Sequence, residues 1–387
     1  MAPRLCDGGV RAADVSSETR RIPRRSMRED AGMAQLDLTR DVVDLTADLC
    51  DIESVSHGEQ ELADAVEAAL RALPQLRVDR DGNTIVARTD LGRAERVVLA
   101  GHLDTVPLTD PPNLPTRRID DLLVGRGTTD MKGGVAVQLA LAATVAEPTR
   151  DITFVFYDCE EIDEEFNGLR RIVAQHPEWL AADFAVLLEP TNGGIEGGCK
   201  GTLRVDIATK GISAHSARPW NGHNAIHDAG PVLDKLAAYQ PETVTVDGLD
   251  YHEALNAVGI SGGIAGNVIP DRCVVTVNYR FAPNKTGQEA YAHVCSLFSG
   301  YDVSLGDCAD GARPGLDTAA AQSFVTALGL PVTAKEGWTD VARFSALGVP
   351  AVNFGPGDPN LAHTDDERCP VQQITDSYDA LRRWLTA

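Results

Sequence analysis

Residues 95–104, ERVVLAGHLD, contain a continuous apolar run that ends at a histidine and, two residues later, an aspartate. Two runs of the same kind follow, ITFVFYD at 152–158 and DFAVLLE at 183–189. Strands that are apolar on both faces are typical of a parallel sheet covered on both sides. Between the first two runs, the nearly all-apolar segment 133–146 predicts a buried helix. The alternation of strands and helices therefore predicts an α/β domain with a mostly parallel sheet sandwiched by helices.

Shorter or more polar elements surround these strands. Apolar residues at helical spacing predict helices at 38–54, 58–73, 317–328 and 374–385. The segment 76–89 predicts a hairpin with Asp81-Gly82-Asn83 at its turn, and 349–357 predicts a further strand. These elements extend the α/β pattern on both sides of the three apolar strands.

The pattern changes near residue 202. Alternating apolar and polar residues predict half-exposed strands at 202–211, 257–267 and 272–283, with helices at 223–239 and 286–299. This β-α-β-β-α-β-like order predicts a smaller α+β domain with an antiparallel sheet. We therefore expect an inserted domain at 203–312, which divides a catalytic domain formed by 33–202 and 313–387.

The length and charge of the chain restrict its function. With 387 residues, two domains or more are expected. A formal net charge of −22 disfavours binding to a nucleic-acid backbone and suits a cytoplasmic protein. No run approaches the roughly 20 apolar residues of a membrane span. The eight cysteines are widely spread without CxxC spacing, so we expect reduced thiols rather than a disulfide framework.

Residues 1–32 differ from the rest of the chain because they are rich in arginine and lack helical or strand periodicity. They also lack the apolar region of a secretory signal. Two interpretations stay open. The segment is either a targeting or interaction arm, or a disordered N-terminal extension, including the case in which translation starts at Met27 or Met33.

Side chains that could bind divalent cations follow the predicted strands or lie in nearby loops. They are His102, Asp130, Glu160, Glu161, Glu189 and His363. Each has an ordinary alternative: the aspartate could cap a helix, the glutamate pair could lie in an exposed acidic loop, and the histidines could be surface residues. As a set, however, they fall where open α/β sheets bind their ligands.

The residue types indicate which metals and which chemistry to expect. Mixed imidazole and carboxylate groups favour zinc, for which cobalt or manganese could substitute. Two cations about 3.5–4 Å apart that share one aspartate would activate a water molecule and polarise a carbonyl group. Asp104 follows His102 by two residues on the same face of a strand, so it could hold the second imidazole nitrogen.

The segments GHLDTVP, GRGTTDMKGG, DCEE and LLEPT, with the late histidine in NLAHTDDE, resemble the motifs of the co-catalytic di-zinc amidohydrolase and exopeptidase family. The resemblance runs from about residue 35 to the C-terminus. It implies a di-zinc exopeptidase-like catalytic domain, an inserted dimerisation or lid domain, two Zn²⁺ per subunit and a homodimer. The implied metal ligands are His102 and Glu189 for one zinc, Glu161 and His363 for the other, and Asp130 as the bridge.

The same resemblance implies catalytic and substrate-binding roles. Glu160 would be the general base and Asp104 would orient His102. His215, in KGISAHSARP, would enter the partner subunit's active site and hold the oxyanion. The implied contacts to substrate carboxylates are Asn267, Arg280 and, in GWTDVARF, Arg343.

Some of these residues have other interpretations when they are taken alone. His215 could be a loop histidine near the start of a helix, and Arg280 could be a surface arginine on a strand. A planar bidentate donor nevertheless suits a dicarboxylic acyl group.

The stretches AHSARPWNGHNAIH, AGNVIPD and VNYRFAP carry a closer resemblance to one branch of the family. That branch hydrolyses a small molecule, N-succinyl-LL-2,6-diaminopimelate, to succinate and LL-2,6-diaminopimelate. A related N-acyl-amino-acid deacylase of the acetylornithine deacetylase type, or a metallo-dipeptidase or carboxypeptidase, would use the same ligands and stays open. A non-catalytic ligand-binding member of the fold is an alternative of another class.

Overall fold

The computed structural model describes residues 35–387, so the predictions for 1–32 lie outside the described residues. The strands are β1 (Arg77–Asp81), β2 (Thr84–Arg88), β3 (Arg96–His102), β4 (Arg117–Ile119), β5 (Leu122–Val124), β6 (Asp151–Tyr157), β7 (Phe184–Leu187), β8 (Ile195–Gly197), β9 (Gly201–Lys210), β10 (Thr243–Val246), β11 (Leu249–His252), β12 (Ala254–Gly262), β13 (Arg272–Phe281), β14 (Asp302–Ala309), β15 (Val332–Ala334), β16 (Ala351–Asn353) and β17 (Arg368–Pro370). The helices are α1 (Val42–Asp51), α2 (Gln60–Arg71), α3 (Lys132–Thr144), α4 (Gly168–Gln175), α5 (Ala225–Asp228), α6 (Gly230–Ala238), α7 (Gly287–Leu297), α8 (Ala319–Leu328), α9 (Val341–Ala346) and α10 (Val371–Thr386).

The central sheet has eight strands in the order β1-β2-β6-β3-β7-β16-β8-β15. Its middle, from β6 through β3 and β7 to β16, is parallel, and β15 is parallel to β8. The hairpin β1–β2 joins β6 in antiparallel fashion, and β8 is antiparallel to β16. The predicted α/β fold is therefore confirmed, with a parallel centre and antiparallel pairs toward both edges.

Helices cover both faces of this sheet. Val97 and Leu99 of β3 pack in a core formed with α1, α2, α3, α8 and α10. Val98 and Ala100 point to the opposite face and pack in a second core with α4 and α9. The helix predicted at 133–146 is α3, which is buried along most of its length because it lies between the sheet and the helices α1 and α10.

A second sheet, in the order β12-β13-β9-β14, is antiparallel throughout. Alternate residues of β9, such as Val205 and Ile207, are buried under α5, α6 and α7. The other face carries polar residues, among them Thr202, Arg204 and Asp206. The predicted smaller α+β arrangement is confirmed, whereas its boundaries at 203–312 stay a prediction.

Two details of this second part differ from the sequence prediction. The helix expected at 223–239 is divided at Ala229, because Pro231 follows Gly230 and cannot donate a backbone hydrogen bond. The hairpin β10–β11 is not predicted, since its four-residue strands are too short to establish a period. Its buried Tyr251 donates a hydrogen bond of 2.7 Å to the backbone oxygen of Gly197, which attaches the hairpin to the central sheet.

Two properties concern the described residues as a whole. No helix within 35–387 combines the length and the apolar content that crossing a membrane requires. The cysteines of this part of the chain are free thiols, and those in the central domain are buried.

Candidate metal centre

Three neighbouring parallel strands carry ligand candidates at their ends. His102 is the last residue of β3, Glu160 and Glu161 come shortly after β6, and Glu189 comes shortly after β7. Because β6, β3 and β7 are adjacent and parallel, their carboxyl ends meet at one edge of the sheet. This edge is where open α/β sheets bind ligands.

Loops bring the remaining candidates to the same place. The ligand atoms of His102, Asp130 and Glu189 lie within 4.8 Å of one another, and so do those of Asp130, Glu161 and His363. Nε2 of His102 is 3.1 Å from Asp130 Oδ1, and Nε2 of His363 is 2.8 Å from Glu161 Oε2. The arrangement is that of two adjacent cation sites with one shared carboxylate.

Burial makes two carboxylates of this cluster, Glu161 and Glu189, costly to ionise. Burial, followed by the charge of Asp130, raises the pKa of Glu189 to about 8. Burial also raises the pKa of Glu161, whose Oε1 has no hydrogen-bond partner within residues 35–387. Hydrogen bonds with Asp130 and Glu161 raise the pKa of His363 to about 10. Divalent cations would neutralise these crowded carboxylates, so the residues present fit a two-metal site.

Asp104 lies fully buried beneath the cluster. Its carboxylate accepts hydrogen bonds from the backbone N–H groups of Glu160, at 3.0 Å, and Glu161, at 3.1 Å. Nδ1 of His102 lies 3.0 Å from the Asp104 backbone oxygen and 3.5 Å from its carboxylate. Asp104 therefore lies closer to His102 through its backbone oxygen than through its carboxylate, and that carboxylate fixes the backbone of both glutamates, which the sequence pattern does not predict.

Glu160 differs from its neighbour because it lines a cavity of about 750 Å³ beside the cluster. Burial raises the pKa of Glu160 well above its usual range, and the charges of Asp340 and Glu189 add to this effect. A carboxyl group in such surroundings is suited to accept a proton and to return it.

Glu367 is a buried residue that the sequence pattern does not single out. Its Oε1 accepts hydrogen bonds from the backbone N–H groups of Thr129, at 3.0 Å, and Asp130, at 3.1 Å. Its Oε2 accepts a hydrogen bond of 2.7 Å from Arg126. These contacts fix the loop that carries the shared aspartate. The sequence offers only a weak signal, a glutamate four residues after His363.

Glu59 supports the turn that precedes the glutamate pair. It is fully buried at the start of α2. Its Oε1 accepts hydrogen bonds from the backbone N–H groups of His57, at 3.0 Å, and Cys159, at 3.2 Å. Cys159 has a φ of 55°, a left-handed conformation that few non-glycine residues adopt. The buried carboxylate thus stabilises the sharp change of direction between β6 and Glu160.

Two of the predicted substrate-binding residues line the same cavity as Glu160. They are Arg280, on β13, and Arg343, on α9. Arg343 forms an ion pair with the buried Asp340. Arg280 donates from Nε to Asn278, and its two terminal amino groups have no hydrogen-bond partner within residues 35–387.

His215 and Asn267 lie elsewhere. They are neighbours, because the N–H of Ser216 donates to the backbone oxygen of Asn267 at 2.9 Å. Both lie beyond the Lys210 end of β9, whereas Thr202, near the other end, lines the cavity. The strand between those ends spans roughly 25 Å. The structure therefore does not bring His215 and Asn267 to the metal cluster of their own chain.

A mostly parallel sheet with imidazole and carboxylate groups clustered at its carboxyl edge defines a metal-dependent hydrolase. Residues 98–387 match the family described as Peptidase family M20/M25/M40. The match spans the segments that carry all six ligand candidates, and the chain belongs to this family.

Two relatives are similar over almost their whole length. A putative succinyl-diaminopimelate desuccinylase of Mycobacterium tuberculosis is 57% identical over 353 residues, which cover 90% of this chain and 99% of the relative. The succinyl-diaminopimelate desuccinylase of Corynebacterium glutamicum is 48% identical over 362 residues, which cover 91% of this chain and 98% of the relative.

Solved structures share the fold at lower identity. A tripeptidase from Staphylococcus aureus has a TM-score of 0.72 at 20% identity and covers 92% of this chain and 98% of its own. A dinuclear metal-binding peptidase of the M20 family from Bacillus subtilis has a TM-score of 0.64 at 17% identity and covers 89% and 96%. At this level of identity, the similarity supports the fold alone.

Proposed function

We propose that the protein hydrolyses N-succinyl-LL-diaminopimelate to succinate and LL-diaminopimelate, a step in the synthesis of diaminopimelate and lysine. The observation that carries this proposal is the 57% identity to the Mycobacterium tuberculosis relative over 90% of this chain. The site agrees with it, because the cluster offers metal ligands and the adjoining cavity offers a carboxyl group and free guanidinium donors.

Metal binding comes first in this proposal. His102 and Glu189 would hold one cation, Glu161 and His363 the other, and Asp130 both, in agreement with the two groups of clustered ligand atoms. Two divalent cations bound there would polarise the amide carbonyl and acidify a water molecule. The donor set suits Zn²⁺, with Co²⁺ or Mn²⁺ as substitutes.

The chain's own groups manage the proton. Glu160 takes a proton from the attacking water and returns it to the leaving amine, so one carboxyl group serves as base and then as acid. The C–O bond to the former water oxygen forms first, and the C–N bond of the amide then breaks as the amine takes up the proton. The position of Glu160 in the cavity and its raised pKa support this role.

Carboxylate recognition is assigned to the two arginines that line the same cavity as Glu160. The free amino groups of Arg280 suit the terminal carboxylate of the succinyl group. Arg343 lines the same cavity, but its guanidinium group forms the ion pair with Asp340, so it is the weaker candidate of the two.

A homodimer is part of the proposal. Strand β12 is the edge of the antiparallel sheet, and its Val258 and Ile260 are 60% and 55% exposed. An unpaired edge with exposed apolar side chains is suited to pairing with a second copy of the chain. Such a dimer would let His215 and Asn267 act in the partner's active site, although they lie far from their own. The inserted domain at 203–312 would then serve in dimerisation.

We also propose a cytoplasmic location, because the cysteines within residues 35–387 are free thiols, which suit a reducing compartment.

The test is a substrate panel with the purified, zinc-loaded protein. N-succinyl-LL-diaminopimelate should be hydrolysed with a kcat/KM far above the values for N-acetylornithine, other N-acyl amino acids and dipeptides. Metal content should be two zinc ions per chain, and removal by a chelator should abolish turnover. A preference for N-acetylornithine or a dipeptide would replace the substrate assignment, and no amide hydrolysis by metal-loaded protein would favour a non-catalytic ligand-binding protein.

A further inference from the structure

The wall of the cavity formed by the antiparallel sheet carries a cation and an anion side by side. Arg204 of β9 and Asp307 of β14 are register partners on adjacent strands, and both line the cavity that contains Glu160. Both side chains are exposed. Neither the resemblance of the sequence nor the metal chemistry assigns a role to this pair.

A β-bulge creates the juxtaposition. The register of β14 against β9 shifts by one residue between Leu305 and Asp307, so that Gly306 has no partner. With regular pairing, Gly306 would stand opposite Arg204, and Asp307 would stand opposite Leu203 on the face covered by helices. Since a shift of one residue exchanges the two faces of a strand, the bulge turns Asp307 into the cavity.

The two charged groups are available to a ligand. Within residues 35–387, neither Arg204 nor Asp307 forms an ion pair within 4 Å or a side-chain hydrogen bond, whereas Lys210 and Asp302, at the far end of the same two strands, pair at 2.9 Å. Arg280 lies close by, and burial, followed by the charge of Arg204, lowers its pKa. Arg204, Asp307 and Arg280 thus lie together in the cavity, and the two guanidinium groups repel each other until an anion is bound.

We propose that Arg204 and Asp307 bind the free amino-acid end of the substrate, with the guanidinium on its carboxylate and the carboxylate on its ammonium group. This inference rests on the proposed function, because the free half of N-succinyl-LL-diaminopimelate is a zwitterion that carries both groups on one carbon. Arg280 remains available for the succinyl carboxylate. Trp338, which also lines the cavity, offers an apolar surface to the connecting methylene chain.

Three compounds separate the contributions of the two charges. N-succinyl-LL-diaminopimelate carries both groups at its free end, Nα-succinyl-L-lysine lacks the carboxylate, and N-succinyl-L-aminopimelate lacks the ammonium group. The zinc-loaded wild-type protein should hydrolyse the first with a kcat/KM roughly tenfold to a hundredfold above each of the others, since each lost charge-assisted hydrogen bond contributes on that order.

Each variant should remove one preference. Arg204→Met should lower kcat/KM for the diaminopimelate compound by roughly tenfold to a hundredfold and leave the lysine compound nearly unchanged. Asp307→Asn should lower kcat/KM for the diaminopimelate compound by a similar factor and leave the value for the aminopimelate compound nearly unchanged. Lys210→Met and Asp302→Asn, from the matched pair on the same strands, should leave the ratios of kcat/KM between the three compounds unchanged.

Equal losses on all three compounds, or variants that shift only the unfolding temperature, would overturn the assignment. Calorimetric titration with free LL-diaminopimelate and with Nα-acetyl-L-lysine, which has no carbon that carries both charges, gives a second measurement that needs no turnover. If wild-type protein binds LL-diaminopimelate more tightly and Arg204→Met removes the difference, the zwitterion site stands even where hydrolysis of the succinylated compound fails. If hydrolysis occurs but neither the kcat/KM ratios nor the affinity for LL-diaminopimelate depends on Arg204 and Asp307, the proposed function stands and the zwitterion site is refuted.

Discussion

Glu160 and Glu161 are adjacent, but their surroundings assign them different tasks. Glu161 is 2.8 Å from His363 in the ligand cluster, whereas Glu160 lines the cavity. Glu160→Gln should therefore keep two zinc ions per chain and lower kcat by about 10²–10⁴-fold. Glu161→Gln, the matched control, should lose metal as well. Elemental analysis with steady-state kinetics measures both effects, and loss of metal from Glu160→Gln alone would mean that the two roles are exchanged.

Glu367 gives a second prediction at the residue scale, because it fixes the loop of Asp130 without being a ligand candidate itself. Glu367→Gln should weaken zinc affinity by about 10- to 100-fold, and excess zinc should restore much of the activity. Asp366→Asn is the control, since that side chain is 84% exposed. Zinc affinity is measured by competition with a chelating dye, and unchanged affinity in Glu367→Gln would contradict the positioning role.

At the scale of elements, Glu253 joins the start of β12 to β13 and to the loop that precedes α7. Its carboxylate accepts hydrogen bonds from Tyr279, at 2.6 Å, the backbone of Ala282, at 2.8 Å, and Lys285, at 2.7 Å. Burial opposes ionisation, but the hydrogen bonds with Lys285 and Tyr279 lower the pKa of Glu253 below its usual 4.5. The folded state therefore favours the charged form.

The sign of the pH effect follows from that lowered pKa. The stabilisation is fully present above the unfolded pKa and is lost as the pH falls through the folded pKa. Glu253→Gln should lower the free energy of unfolding by about 2 kcal/mol at pH 7, and the difference from wild type should shrink below about pH 4. Thermal unfolding of the metal-free proteins at several pH values measures this difference in the free energy of unfolding. Glu242→Gln, an exposed neighbour on the β10 side, should have no effect, and a pH-independent loss in Glu253→Gln would refute the assignment.

Long elements with a strong pattern could be predicted from the sequence, whereas most of the short ones could not. Strands β3, β6 and β7 are apolar on both faces because helices cover them, so their ends indicated His102, Glu161 and Glu189. Strands β8 and β15 have three residues each, too few for a period, and the antiparallel insertion of β8 stayed undetected. The bulge at Gly306 also leaves no pattern, because it depends on pairing with β9.

At the scale of the whole molecule, the site joins segments that lie far apart in the sequence. Asp130 and Glu367 are separated by 237 positions, and no local pattern predicts that a loop and a buried glutamate meet. The motifs predicted which residues could bind metal, since imidazole and carboxylate groups are recognisable by type. They did not predict the cavity, because its walls come from the antiparallel sheet and from loops and helix α9 beside the central sheet, whose relative position depends on packing.

The largest-scale prediction concerns two chains together. His215 lies beyond the Lys210 end of β9, roughly 25 Å along the strand from the cavity end, so in the proposed homodimer it would serve the active site of the other copy. His215→Ala and Glu160→Gln should each be nearly inactive alone. When the two variants are mixed in equal amounts and refolded together, activity should recover to at most about a quarter of the wild-type value. The reason is that about half of the dimers are mixed, and each mixed dimer holds one site with both wild-type residues. Mass spectrometry of differently tagged chains verifies that mixed dimers form. Mixed dimers without regained activity would show that His215 does not act across the interface.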